Sequence, residues 1–168
     1  MVFRFRMLSD ENDRFVRDYE VSYDTTLLEF HDFLLRSLEY EPCMASFFTA
    51  ADRWNRLREF TLMDMGAENG EGPEPMERIA LGQILHSNRD RLIYLFDLFG
   101  DRAYYLELTG AAEAQAGAEY PREIFAGAEA PDQYDPSKTR ADEEEGSIFD
   151  EAMDDFREFE GDDAYDDE

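Results

Sequence analysis

The sequence is poor in cysteine and histidine, from which zinc sites and many nucleophilic active sites are built. Its 168 residues include one cysteine, Cys43, and two histidines, His31 and His86. A single cysteine excludes an intramolecular disulfide and any zinc site made of several cysteines. The two histidines lie too far apart in the chain to form a ligand motif of the H-E-x-x-H type. The sequence therefore predicts no metal, no cofactor and no catalytic residue.

Long apolar runs are also absent. The first residues, MVFRFRMLSDEND, contain no apolar core of a signal peptide. Elsewhere no apolar stretch approaches the roughly 20 residues of a membrane-spanning helix. We therefore expect a cytoplasmic protein that does not bind membranes.

Positive charge is scarce, and acidic residues dominate. The chain has 42 Asp and Glu against 16 Lys and Arg, a net charge of −26. Residues 132–168 hold 17 of the acidic residues and 3 of the basic ones. Such a surface repels phosphate, so direct binding to nucleic acid is not expected, and a protein partner should be basic. The composition predicts a folded domain over residues 1–131 and an acidic, mostly disordered tail over 132–168.

Apolar periodicity in the first half of the chain predicts two strands, a helix and two more strands. Alternating Phe3, Phe5 and Met7 indicate a strand that forms a hairpin with residues 15–23. Asp24 or Thr25 is the expected N-cap of the main helix. Six residues form the apolar stripe of that helix: Leu27, Phe30, His31, Leu34, Leu35 and Leu38. Strands are expected within 43–50 and 53–65.

The second half adds a short helix and a strong hairpin. Residues 79–85 favour one or two helical turns, and residues 91–108 favour a hairpin that turns at Gly100-Asp101. We expect a linker from residue 110 and an extended segment over 120–136 that lies across the domain. The order of elements predicts an α+β fold: a mostly antiparallel sheet with one main helix packed on a face.

Four blocks in this order carry a family resemblance: TTLLEFHDFLLRSLEYEPCMASFFTA, REFTLMDMG, MERIALGQIL and RLIYLFDLFGDRAYYLEL. They resemble the plasmid pRiA4b ORF-3-like family, in particular its acidic members common in Bacteroidetes. The resemblance implies an α+β domain and no established activity. Members often carry a Trp and a His in the hairpin, where this chain has Arg102 and Tyr104. The cysteines that often follow the domain are absent from this chain.

A weak candidate pocket combines His31, Asp97 and Tyr104. A histidine and a carboxylate near a sheet cleft can perform acid–base chemistry when their pKa values are split. The alternative is that His31 is a packed histidine and Asp97 a solvated turn residue. Trp54, which lies among Arg53, Arg56 and Arg58, is either an anion-binding patch or the wet face of one strand.

An apolar stripe interrupts the acidic tail and predicts an amphipathic helix over 148–160. Its candidate interaction residues are Ile148, Phe149, Met153, Phe156 and Phe159. Ser147 is a suitable N-cap and Gly161 a suitable stop. A short helix with this charge is marginal alone, which favours docking onto its own domain or a partner. The alternative is a disordered tail that only aids solubility.

Three functions remain open from the sequence. The leading hypothesis is a non-catalytic protein-interaction module whose acidic amphipathic segment binds a basic groove with an apolar floor. The second is a small-ligand-binding or enzymatic domain that uses the sheet cleft. The third is an acidic protein that mimics nucleic acid towards a DNA-binding protein.

Overall fold

The computed structural model of the chain describes residues 1–66 and 72–138. The chain divides into two units, Met1–Gly127 and Ala128–Glu168. In the second unit the described residues form turns in which the carboxylate of Asp132 accepts hydrogen bonds from the backbone N–H groups of Tyr134 and Asp135. The predicted helix over 148–160 lies outside the described residues. The predicted boundary at residue 131 stays a prediction.

The first unit is built on one eight-stranded sheet with a main helix. Its strands are β1 (Val2–Ser9), β2 (Val16–Ser22), β3 (Ser46–Ala50), β4 (Arg56–Thr61), β5 (Glu74–Pro75), β6 (Arg91–Asp97), β7 (Arg102–Ala112) and β8 (Arg122–Gly127). Its helices are α1 (Leu27–Leu38) and the single turn α2 (Leu81–Ile84), which a 3₁₀ turn, Met76–Arg78, precedes. None of the helices in the described ranges is long and apolar enough to cross a membrane.

The strands lie in the order β5-β4-β3-β6-β7-β1-β2-β8, and every neighbouring pair is antiparallel except β4 and β5. The register places Phe5 between Tyr19 on β2 and Leu108 on β7. Tyr94 on β6 lies between Phe47 on β3 and Tyr104 on β7. The predicted mostly antiparallel sheet with one main helix is confirmed at this level.

Strand alternation gives the sheet one apolar face, which α1 covers. All six residues of the predicted helical stripe are buried. Phe30 stacks between Phe5 at 5.5 Å and Phe47 at 5.7 Å between ring centroids. The buried sheet residues of this face are Phe3, Phe5, Met7, Tyr19, Val21, Phe47, Phe60, Leu92, Tyr94, Phe96, Tyr104, Leu106 and Leu108.

The N-cap of the helix lies two residues after Asp24 and one after Thr25, the two predicted caps. Thr26 is the N-cap, and its side chain accepts a bond from the backbone N–H of Glu29 at 3.1 Å. The Glu29 carboxylate accepts one from the backbone N–H of Thr26 at 3.0 Å, which completes a capping box. Glu39 ends the helix in the left-handed region, so the chain has already turned before Pro42.

The second face of the sheet carries paired charges on β1, β2 and β8. Arg6 and Asp18 form two 2.8 Å bonds across β1 and β2, and Glu20 accepts from both Arg4 and Arg122. These two guanidinium groups lower the pKa of Glu20.

Two predicted irregular segments belong to the sheet. Residues 110–112 continue β7, and Arg122–Gly127 form β8 on the edge next to β2. The expectation that 120–136 lies across the domain is therefore wrong for its first half. The short apolar run of β8 is largely exposed, so it lacks the alternation of burial that marks the inner strands.

Candidate functional site

His31 belongs to α1 and lies on the buried face of that helix, in the core. The side chain is only 3% exposed, and its Nδ1 lies 2.7 Å from the hydroxyl oxygen of Tyr94. Burial lowers the pKa of His31 and raises that of Tyr94 well above its ordinary value. The pair is therefore neutral near pH 7, with the polar atoms bonded to each other and away from solvent.

Tyr104 is also fully buried. Its hydroxyl shares a 2.5 Å hydrogen bond with that of Tyr40, and its ring packs against Phe15 and Phe96. Burial raises the pKa of Tyr104 above its usual range. Tyr104 lies opposite Tyr94 in the register of β6 and β7, so these phenols belong to one buried polar layer between sheet and helix.

Asp97 has a different role at the end of β6. Its Oδ1 accepts the backbone N–H of Gly100 at 2.9 Å and fixes the turn into β7. Of the three residues of the predicted pocket, two are buried in the core and one holds a turn at the surface. The geometry gives no support to a ligand cleft shared by them.

The turn that Asp97 holds, Leu98–Asp101, is called the hairpin tip. Phe99 at this tip is fully exposed, and Leu98 is exposed to 41% of its area. Two successive large apolar side chains in solvent are unusual for a polar turn, because each loses the free energy that burial would provide. The predicted interaction residues (Ile148, Phe149, Met153, Phe156 and Phe159) lie outside the described residues.

Side-chain contacts fix the hairpin tip at both ends. A Cβ on Gly100 would lie 2.6 Å from Oδ2 of Asp97, so glycine permits the close approach of that carboxylate. Asp101, which has a φ of 52°, accepts a 2.8 Å bond from Arg56 on β4.

Arg102 is the first residue of β7 after the tip, and its side chain anchors the start of that strand. Its guanidinium donates to both carboxylate oxygens of Glu11, at 3.0 and 2.7 Å, and lies 4.9 Å from the ring centroid of Phe96. The Arg102 side chain is 6% exposed. A buried bidentate pair of this kind holds its partners in one geometry, so the apolar residues of the tip project from a rigid base.

The tip also carries negative charge. Asp10, in the turn between β1 and β2, lies 3.4 Å from the hydroxyl of Tyr105 and accepts its hydrogen bond. Burial raises the pKa of Tyr105, and the carboxylates of Asp10 and Asp101 raise it further. Both carboxylates therefore lie beside the same phenol, and Asp101 belongs to the tip that carries Phe99.

An aromatic cluster on the second face of the sheet adjoins the tip. Trp54 meets Tyr105 edge to face at 5.1 Å, and Arg91 lies over the Trp54 ring at 4.6 Å. Arg56 lies over Phe48 at 4.8 Å before it reaches Asp101. The rings of Trp54, Tyr105 and Phe48 pack against three buried residues of the same face: Ile93, Leu95 and Ala103.

The backbone of Trp54 is unusual, since its φ is 61°. A bulky residue in this region stores roughly 1–3 kcal/mol of strain. Of the arginines next to Trp54 in the sequence, Arg56 pairs with Asp101 and Arg58 with Glu74, whereas the cation over its ring comes from β6.

Sequence reasoning missed Leu98 and Phe99. The available signal was two large apolar residues inside the acidic turn sequence DLFGD, where turn chemistry favours small and polar residues. The predicted turn was Gly100-Asp101, so both residues were placed before the turn and their exposure was not expected.

Comparison with known proteins agrees with the fold. The sequence model of the family described as "Plasmid pRiA4b ORF-3-like protein" matches residues 2–158, which confirms the resemblance. The fold is similar to the crystal structure of a protein of unknown function from Methanosarcina mazei Go1, with a TM-score of 0.61 and 14% identity. That likeness covers 74% of this chain and 68% of the other. No curated protein matches the chain.

Proposed function

We infer that this chain, which belongs to the plasmid pRiA4b ORF-3-like family, is a non-catalytic protein-interaction module. The observation that carries this proposal is the hairpin tip, where a rigid turn holds Phe99 fully in solvent. We place its interaction in the cytoplasm and its contact surface on the folded domain.

The free energy of burying an apolar side chain favours a partner that covers Phe99. Burial of one phenylalanine is worth roughly 1.5–3 kcal/mol, and exposure at the tip forgoes that gain within the chain. The contacts of Asp97, Arg56 and Arg102 already order the turn. A partner pocket would therefore gain the apolar contact with little further loss of conformational entropy.

The neighbouring surface has the composition of a binding interface. Trp, Tyr and Arg are the residues that most often dominate binding energy, and Trp54, Tyr105 and Arg56 lie together beside the tip. The ion pair of Arg56 with Asp101 joins this cluster to the tip, so one partner can contact both.

The tail hypothesis extends the same function. The acidic amphipathic segment 148–160 would supply a second contact to a basic partner, and it stays a prediction. A catalytic cleft has no comparable observation in its favour, because His31 and Tyr104 are buried and bonded in the core. Mimicry of nucleic acid has none among the described residues either.

The test is site-specific photocrosslinking in the full chain. A benzophenone amino acid replaces Phe99, with a matched probe at Ile124, an exposed apolar residue on β8. In extract of the producing cells we expect a discrete adduct from position 99 and none of the same mass from position 124. Unlabelled wild-type chain should suppress the adduct about tenfold better than Phe99→Ala, the range of an anchor residue.

Two further measurements make the outcome decisive. The thermal midpoint of Phe99→Ala should match that of the wild type, because an exposed side chain contributes little to stability. The absence of an adduct at position 99, or equal competition by Phe99→Ala, would show that the tip is not a contact site.

A further inference from the structure

We propose that the partner of the hairpin tip presents an apolar pocket with a rim of arginine or lysine, into which Phe99 inserts. This proposal rests on the proposed function and specifies the chemistry of its partner. The expected partner is a protein with a basic surface. Contact with a second copy of this chain or with an anionic surface would contradict the proposal.

The first step is the charge around the tip. Five carboxylates belong to the end of β6, the tip and the adjacent turn between β1 and β2: Asp10, Glu11, Asp13, Asp97 and Asp101. Three guanidinium groups belong to the same turn or pair with these carboxylates: those of Arg14, Arg56 and Arg102. The local charge is therefore negative by two, and the fully exposed Phe99 lies two residues from both Asp97 and Asp101.

The second step is that Arg56 and Arg102 already pair with carboxylates of this domain. Arg102 is 6% exposed and donates to both oxygens of Glu11. Arg56 spans from Phe48 to the carboxylate of Asp101 and is bonded there. Both cations thus neutralise carboxylates of this domain and leave an acidic rim to an incoming surface.

The third step identifies the charges that remain available. Asp10 bonds the phenol of Tyr105, which is neutral, so this contact leaves the charge of Asp10 uncompensated. Asp97 bonds a backbone N–H. The Asp101 side chain stays 71% exposed despite its pair with Arg56. A pocket with cationic residues at its rim complements this pattern, whereas an acidic rim would repel it.

The same charges disfavour other occupants. Two copies that met tip to tip would bring their acidic rims together, a repulsive arrangement. Phosphate-bearing surfaces would be repelled for the same reason. The apolar end of Phe99 requires a cavity, which a folded protein with a concave basic patch supplies.

The experiment uses the full chain with the crosslinker at position 99 and varies only the rim. The double variant Asp10→Asn, Asp101→Asn keeps the shape of both side chains and removes two charges. Its matched control is Glu113→Gln, Glu119→Gln, which removes two exposed charges at and beyond the far end of β7. We expect adduct yield to fall about three- to tenfold in the rim variant and to stay unchanged in the control.

Salt and peptide mapping supply independent readouts. Adduct yield should fall between about 50 and about 500 mM sodium chloride, because exposed charges are screened over that range. Mass spectrometry should place the crosslinked peptide of the partner in a segment rich in apolar residues and in arginine or lysine.

The outcomes separate the two proposals. An adduct at position 99 that ignores salt and the rim variant would overturn the basic rim and leave the interaction function standing. Crosslinks between two copies of the chain, or to an acidic segment, would also overturn it. Failure to form any adduct at position 99 would overturn the interaction function itself.

Discussion

At the scale of single residues, His31 is the point where the core departs from pure apolar packing. It occupies one position of a stripe that is otherwise leucine and phenylalanine, and Tyr94 satisfies its Nδ1 at 2.7 Å. A buried imidazole is tolerated when it is neutral and hydrogen-bonded, whereas its charged form would be costly there. The stability of the fold therefore depends on the protonation state of His31.

We expect His31 to make stability depend on pH. Burial lowers its pKa in the folded state, so below the unfolded pKa of about 6.5 the unfolded chain binds the proton more readily. Stability contributed at this position is thus complete above that value and decreases as pH falls towards the folded pKa. Urea denaturation should give a smaller difference between pH 8 and pH 5 for His31→Gln than for the wild type.

The matched control is His86→Gln, which removes the other histidine from an exposed position. Its pH dependence should follow that of the wild type. A His31→Gln profile parallel to the wild type would mean that the histidine does not titrate differently on folding.

At the scale of elements, α2 shows how a glycine can be required inside a helix. Gly82 donates its backbone N–H to the carbonyl of Tyr23 at 2.8 Å. A Cβ at this position would lie 2.5 Å from the Tyr23 ring and 3.1 Å from that carbonyl. The short helix can therefore approach the chain between β2 and α1 only without a side chain.

Gly82→Ala should destabilise the domain by about 1–3 kcal/mol, because the new methyl group displaces Tyr23. This sign is opposite to the usual gain from replacing glycine by alanine in a helix, which is about 1 kcal/mol. Gly110→Ala is the control, since open space surrounds that position on β7, and it should be neutral or slightly stabilising. Equal unfolding free energies for both variants in urea would contradict this account.

Much of the element structure was predictable because its signals are local. The stripe from Leu27 to Leu38 repeats with helical periodicity, and alternation marked β1, β6 and β7. The N-cap lies one or two residues after the predicted ones because three candidate oxygens occur in succession, and only Thr26 has a glutamate three residues later. β8 escaped prediction because its pairing with β2 depends on residues about 100 positions away.

The candidate site was less predictable, for a physical reason. The bond between His31 and Tyr94, and the pair of Arg102 with Glu11, join distant parts of the chain and have no local pattern. Phe99 is informative only through its exposure, which the alternation of β6 does not reveal. The stacking cation of Trp54 comes from β6, although the sequence offered three nearer arginines.

At the scale of the whole molecule, net charge is the dominant quantity. The chain carries −26 at pH 7, and its cations are almost all arginines. In the described part of the chain nine arginines form ion pairs with carboxylates. Such pairs offset part of the repulsion between acidic side chains at the surface. The surplus negative charge still opposes compaction.

Salt should therefore stabilise the protein at pH 7. Raising sodium chloride from about 10 to about 500 mM shortens the Debye length from about 30 Å to a few ångströms and screens the repulsion. We expect the thermal midpoint to rise by several degrees, measured by circular dichroism. Near the sequence pI of about 4.2 the net charge vanishes, so the same addition of salt should have little effect there. A midpoint that falls with salt at pH 7 would indicate that the ion pairs outweigh the repulsion.

The position of β1 in the sheet has a consequence for how the chain is made. β1 leaves the ribosome before the other strands of this sheet, yet it pairs along one side with β7, where Val2 lies opposite Ala112. During synthesis the hairpin of β1 and β2 can form early with α1, but its other edge stays open until residue 112 emerges. Over that interval a nascent chain exposes a strand edge and the aromatic face behind it. Translation speed through the second half of the message thus determines how long the unfinished sheet is exposed to aggregation and to chaperones.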